Sequence, residues 1–165
     1  MIKQIIAAAL GVLLVTGTAQ AQQKMSPADI AKTKAEVEAA LQHYMTAFSA
    51  VDLNEVRDNV WNHPSVNFGP NGATLIDPAQ QTQQSDGLIK QLQKDGWVKS
   101  DQVRNVVCIL NPTSAIVSGD FRRVRADGSV ISSSGTTNLF AKNDKGWKMV
   151  ARIITEAGKV TTCND

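Results

Sequence analysis

The chain has 165 residues, with 17 lysines and arginines against 15 aspartates and glutamates, a formal charge of +2. That length suits one domain with a single buried core. So small a net charge provides no long-range field to gather nucleic acid or anionic lipid, so neither a nucleic-acid nor a membrane partner is expected of the mature chain.

The chain starts Met1-Ile2-Lys3-Gln4, continues through an apolar run from Ile5 to Val15, and reaches Ala19-Gln20-Ala21. A positive start, a hydrophobic stretch and a small-x-small site have the form of a secretory signal peptide cleaved after Ala21. The run is shorter than the roughly 18 apolar residues needed to span a bilayer. The expectation is therefore a signal peptide at residues 1–21, one domain at residues 22–165, and a periplasmic or secreted mature protein. No cysteine follows the cleavage site to carry a lipid.

Ser26-Pro27-Ala28-Asp29 reads as a helix start, with serine as cap and proline in the first helical position. Ile30, Val37, Leu41, Tyr44, Met45, Phe48 and Val51 recur at helical spacing and predict one buried stripe. His43 falls on the opposite, polar side with Glu36. Asp52 and Glu55 predict a capping box for a second, shorter helix that carries Val56 and Val60 inward and stops at Pro64. This places His63 at the helix end, where a donor or cation suits the negative pole of the dipole.

Ser65–Phe68 and Thr74–Ile76 then read as a hairpin around Gly-Pro-Asn-Gly turn chemistry. Asp77-Pro78 opens a third helix with Leu88, Ile89 and Leu92 as its apolar face, ending at Asp95-Gly96. The remainder predicts a meander of four strands: Trp97–Leu110, Ser114–Arg125, Ser129–Lys142 and Trp147–Glu156. Helices beside an antiparallel sheet make an α+β layer arrangement.

The two cysteines, Cys108 and Cys163, predict one disulfide in an oxidising compartment, pinning the C-terminal tail to the sheet. A buried free thiol is the alternative. Neither lies at metal-ligand spacing from a second sulfur or a histidine, so no metal site is expected. The basic run Phe121-Arg122-Arg123-Val124-Arg125 reads as a solvated hairpin end rather than a phosphate site. Ser132–Asn138 is polar on both alternating faces. Either the strand faces water, or Asn138 points inward as a hydrogen-bonding wall, and Arg152 poses the same choice. No phosphate loop, ordered Ser-His-Asp set or cofactor fingerprint is present, and no cofactor is expected.

Tyr44-Met45-Thr46-Ala47-Phe48-Ser49-Ala50-Val51-Asp52-Leu53-Asn54-Glu55-Val56, followed by the hairpin Val66-x-Phe68-x-Pro70-x-Gly72, resembles the start of the NTF2-like, or SnoaL-like, superfamily. Gly146-Trp147-Lys148-Met149-Val150-Ala151-Arg152-Ile153 extends that resemblance over nearly the whole mature chain. It implies a cone: a strongly curved sheet wrapped on a long helix, a cavity at the open end, and a homodimer through the sheet's outer face.

The superfamily includes ketosteroid-isomerase-like and dehydratase-like enzymes. Tyr44 lies where the isomerases hold an oxyanion-stabilising tyrosine. Their carboxylate base corresponds here to Phe68, which cannot accept a proton, and their second acid to a position near Thr137. The dehydratase-like histidine sits on a central strand, and none of the four late strands contains histidine. The resemblance thus implies a domain that binds a small, largely apolar molecule in the cone or serves as a dimeric binding module, with Tyr44, Trp61, His63, Asn67, Phe68, Trp97 and Asn138 as candidate ligand-binding residues. Trp97 is expected at the mouth of the cone. The alternative is a cofactor-independent isomerase, dehydratase or hydrolase with Tyr44, His63 and Asp120 as catalytic candidates. In it His63 would act as general base, oriented by Asn67 or Asp120.

Overall fold

The structure is a computed structural model that describes residues 24–69 and 71–163. The signal peptide expected at residues 1–21 lies outside the described residues.

Helix α1 spans Pro27–Ser49. The Ser26 hydroxyl accepts from the Asp29 N–H at 3.1 Å, satisfying one of the free donors at the helix start. Val37, Leu41, Met45 and Phe48 are buried along its inward stripe, and Tyr44 is half-buried beside them. Ile30 and Val51, expected on that stripe, are 43% and 39% exposed. Buried positions begin only at Thr33 and end at Phe48, and Val51 falls in the turn beyond the helix at φ 60°.

The short helix α2, Leu53–Glu55, starts where Asp52 Oδ1 accepts from the Glu55 N–H at 3.0 Å. The expected box is only half made: the Glu55 carboxylate turns to His43 Nε2 at 2.8 Å and to Asn59 Nδ2 at 2.6 Å. A π-helical turn, Val56–Val60, follows and buries both valines. Helical structure ends there, three residues short of His63. Strand β1, Trp61–Gly69, begins at once, because Trp61 pairs in parallel with Met149 and is only 3% exposed. His63 and Pro64 are strand residues joined by a cis peptide bond, so the expected helix-end position of His63 is corrected.

β2, Gly72–Ile76, completes the hairpin. Helix α3, Pro78–Lys94, opens with a reciprocal capping box between Asp77 and Gln80, and Gly96 follows its end at φ 80°. The meander consists of β3 (Trp97–Asn111), β4 (Ser114–Arg125), β5 (Val130–Asn143) and β6 (Gly146–Thr155). Each boundary falls within a residue of the expected one.

The strand order is β2-β1-β6-β5-β4-β3, with β1 parallel to β6 and all other pairs antiparallel. The sheet is curved and unclosed, and register shifts interrupt β3 at three places, which sharpens its bend. One shift lies between Gln102 and Arg104, and Gly119 of β4 sits against it. A Cβ at Gly119 would fall 2.1 Å from the Arg104 carbonyl oxygen, so only glycine fits.

Helix α1 lies against β3 and β6. Val37, Leu41 and Phe48 join Ala115, Val117, Phe140, Trp147 and Met149 in one core. On the outer face of the sheet the chain doubles back after β6. Gly158 N–H donates to Asp120 Oδ1 at 2.8 Å, Thr161 N–H donates to Ser118 Oγ at 2.9 Å, and Cys163 is disulfide-bonded to Cys108. The expected bridge is therefore present and straps the tail across β4 and β3. No described helix is long and apolar enough to cross a membrane.

Candidate functional site

Alternation along the strands decides which side chains reach the concave side of the sheet. On β4 the inward series is Ala115, Val117, Gly119, Phe121 and Arg123; on β5 it includes Thr136, Asn138 and Phe140. Near the core end these residues are packed. Toward the other end they border an open cavity of about 480 Å³ between the sheet, α1 and α3, a size that suits a small organic ligand. Its apolar wall comes from Leu41, Tyr44, Met45, Phe48, Val56, Trp61, Ile76 and Leu88. Polar groups on the sheet side include Asn67, Gln102, Arg123, Thr136, Asn138 and Arg152.

Arg152 is the best-held polar group in the cavity. Its guanidinium carbon lies 4.7 Å from the Tyr44 ring centroid and 4.9 Å from that of Trp61. Nη1 donates to the Tyr44 hydroxyl at 3.1 Å and Nε donates to Asn138 Oδ1 at 3.0 Å. Asn138 also accepts from Thr136 Oγ1 at 3.3 Å and is almost fully buried. The sequence explains this local order: Asn138 of β5 and Arg152 of β6 are register partners, and Asn67 of β1 pairs with Arg152 from the other side.

Arg123 is placed differently. Its guanidinium carbon stands 5.5 Å from the Phe121 ring centroid, and its Nε is buried without a hydrogen-bond partner among the described residues. Burial pushes its pKa below the ordinary arginine value; Tyr44 opposes that shift and the like charge of Arg152 reinforces it. Asn67 Oδ1 and Gln81 Oε1 are also buried in the cavity wall without partners among the described residues.

Of the residues singled out by sequence, Tyr44, Trp61, Asn67, Phe68 and Asn138 line one cavity. Phe68 is at its rim, 43% exposed. Trp97 is not at the mouth: it is buried edge-on against Phe48, with ring centroids 5.7 Å apart, and its Nε1 donates to Ser100 Oγ at 3.2 Å. His63 lies outside the cavity. Its Nδ1–H donates to the Ile76 carbonyl at 3.2 Å, and it borders a separate shallow hollow with Arg57, Asp58, Lys145 and Lys148. Asp120 points to the outer face, where it holds Arg104 at 3.1 Å and the tail at Gly158.

The constellation of Tyr44, His63 and Asp120 is thus not assembled, because strand parity separates the aspartate and the early start of β1 removes the histidine. No aspartate or glutamate is among the described residues lining the cavity. Among the described residues no cluster of three histidines, cysteines, aspartates or glutamates has metal-holding geometry.

The sequence reading missed Arg123 as a wall residue and left Arg152 undecided. The signal was present in both cases: Arg123 shares the parity of Ala115 and Val117, and Arg152 lies in register with Asn138.

Comparison with known proteins bears on the fold. Among curated proteins none matches the sequence significantly. An NTF2-like protein with a cystatin-like fold from Novosphingobium aromaticivorans superposes with a TM-score of 0.65 at 15% identity, over 79% of this chain and 85% of that one. Aln2 from a Streptomyces species gives 0.63 at 12% identity, over 80% and 93%. A protein of unknown function with a cystatin-like fold from Nostoc punctiforme gives 0.61 at 12% identity, over 76% and 92%. At such identities the likeness concerns architecture alone. The sequence profile of one family, described as NTF2-like protein (DUF6841), matches residues 35–157. That match covers most of the chain and every element from within α1 to β6, and the protein therefore belongs to this NTF2-like family.

Proposed function

We propose that the protein is an exported binding module that holds a small molecule with a largely apolar body in the cone cavity. The observation that carries this reading is the cavity itself: about 480 Å³ of open space walled by α1 and α3 side chains on one side and by fixed polar groups on the other. Core filling would have closed such a space, since protein interiors pack densely and exposed apolar walls are costly in water.

Export is supported by the form of residues 1–21 and by the Cys108–Cys163 bridge, which suits an oxidising compartment. Cell fractionation with N-terminal sequencing tests it; a mature chain beginning at Gln22 is expected, and an uncleaved cytoplasmic chain would refute it. A homodimer through the outer face of the sheet would have to form around the tail strapped over β4, beside exposed Leu139 and Ile153. Sedimentation equilibrium measures that directly.

Native mass spectrometry of protein purified from its own host tests the binding reading. A non-covalent adduct of small-molecule mass, lost on denaturation, is expected. A bare chain that also fails to bind any member of a library of small apolar compounds would refute it.

A further inference from the structure

The cavity wall carries two guanidinium groups and, among the described residues, no carboxylate. Neither Arg123 nor Arg152 takes part in any ion pair of the described residues. Two like charges on one partly dry wall are unfavourable unless something compensates them. Stacking of Arg152 between Tyr44 and Trp61 offsets part of that cost. Among the described residues Arg123 has the Phe121 ring beneath it, and its buried Nε meets no acceptor.

The donors left over define what would fit. A guanidinium has five N–H donors. Arg152 directs Nε to Asn138, one Nη1 donor to Tyr44 and its Nη2 toward Met149 Sδ at 3.6 Å, which leaves donors on both terminal nitrogens. The Nε–H of Arg123 is left over as well, beside its own terminal nitrogens. Paired N–H groups in one plane match the two oxygens of a carboxylate. Leu41, Met45, Phe48, Val56 and Leu88 form an apolar stretch of the opposite wall, and the α3 groups beside it, Gln81, Gln84 and Ser85, are neutral, so no described side chain there carries a second charge.

We propose that the cavity takes an organic monocarboxylate, whose anionic end meets Arg123 and Arg152 while its apolar body lies against the apolar face of α1 and Leu88 of α3. This rests on the reading of the cavity as a ligand site and assigns the chemical class of the ligand. Arg152 is the fixed half of the anion cradle, held by Tyr44 and Asn138. Arg123 is the free half, whose buried Nε gains an acceptor when the acid binds.

Isothermal titration calorimetry with two acids, octanoate and 2-naphthoate, each set against its primary amide, tests the assignment. At least one acid should bind about ten-fold more tightly than its amide, the preference expected for a charge-assisted hydrogen bond. Rising salt should narrow that preference. Arg123→Gln should erase most of it, weakening the acid several-fold more than its amide. Arg123→Lys, which keeps the charge but not the paired donors, should retain part of it. Arg152→Gln gives the second arm, read alongside circular dichroism because Arg152 also braces Tyr44.

Equal binding of acids and amides would overturn the carboxylate assignment and leave the apolar cavity reading intact. Binding of none of the four compounds would overturn the carboxylate assignment, while the cavity reading stands or falls by the native mass spectrometry and the compound library. A preference that survives both Arg123→Gln and Arg152→Gln would place the anion elsewhere and overturn the proposal.

Discussion

Arg152 of β6 lies over the ring of Tyr44 of α1 and donates to its hydroxyl at 3.1 Å, so one side chain joins the sheet to the helix at the inner end of the cavity. The phenol is thereby used as an acceptor for a cation. Tyr44→Phe removes the oxygen and keeps the ring, so stacking persists while one charge-assisted bond is lost. Stability should fall by about 1–2 kcal/mol in urea unfolding. No change would show that the phenol contributes nothing to holding Arg152.

Phe140 is 1% exposed in the core and Phe68 is 43% exposed at the cavity rim. Phe140→Ala should cost about 3–5 kcal/mol, the range for a deleted core aromatic. Phe68→Ala should cost less than about 1 kcal/mol, as for an exposed position. Chemical denaturation of both variants checks the pair, and equal losses would contradict the division between packed core and open cavity.

The disulfide joins residues separated by 55 positions and holds the tail over β4. Replacing both cysteines by serine should lower stability by about 2–4 kcal/mol. It should also speed hydrogen exchange at the Gly158 and Thr161 amides while exchange within β4 and β5 stays slow. Unchanged protection at those two amides would show that the hydrogen bonds alone hold the strap.

Glu36 of α1 accepts from Lys142 Nζ at 2.7 Å and from Trp147 Nε1 at 3.0 Å, linking the helix to the β5–β6 turn. These bonds, that from Lys142 first, hold its carboxyl below the ordinary value of 4.5. A lowered folded pKa means that the contribution is full above the unfolded value and is lost as pH falls through the folded one. The melting temperature of the wild type should therefore drop more steeply below pH 4.5 than that of Glu36→Gln. Parallel acid limbs for the two proteins would contradict this.

Local chemistry made most of the fold legible. Ser26-Pro27, Asp77-Pro78 and the Gly-containing turns have few alternative conformations, so helix starts and strand ends could be placed closely. The segment from Val56 to Pro64 was not legible in the same way. Its helix stops early because Trp61 finds a partner in Met149, nearly ninety residues away, and proline rules state only where a helix cannot continue.

Residue type misled the site reading more than pattern did. His63 and Asp120 suggested chemistry, yet one bonds a backbone carbonyl and the other anchors the tail. Trp97 is a large ring that the core required. Arg123 and Arg152 looked like surface groups because arginine usually is one. Their strand parity pointed inward, but only the curved sheet shows that inward there means a cavity rather than a packed interior.

A crystal structure of the protein soaked with octanoate at several times its measured dissociation constant tests the central claim most directly. The account predicts a single chain of density between α1 and α3 with its carboxylate within hydrogen-bonding distance of Arg123 or Arg152. Side chains collapsed into that space, or octanoate bound only elsewhere on the surface, would contradict it.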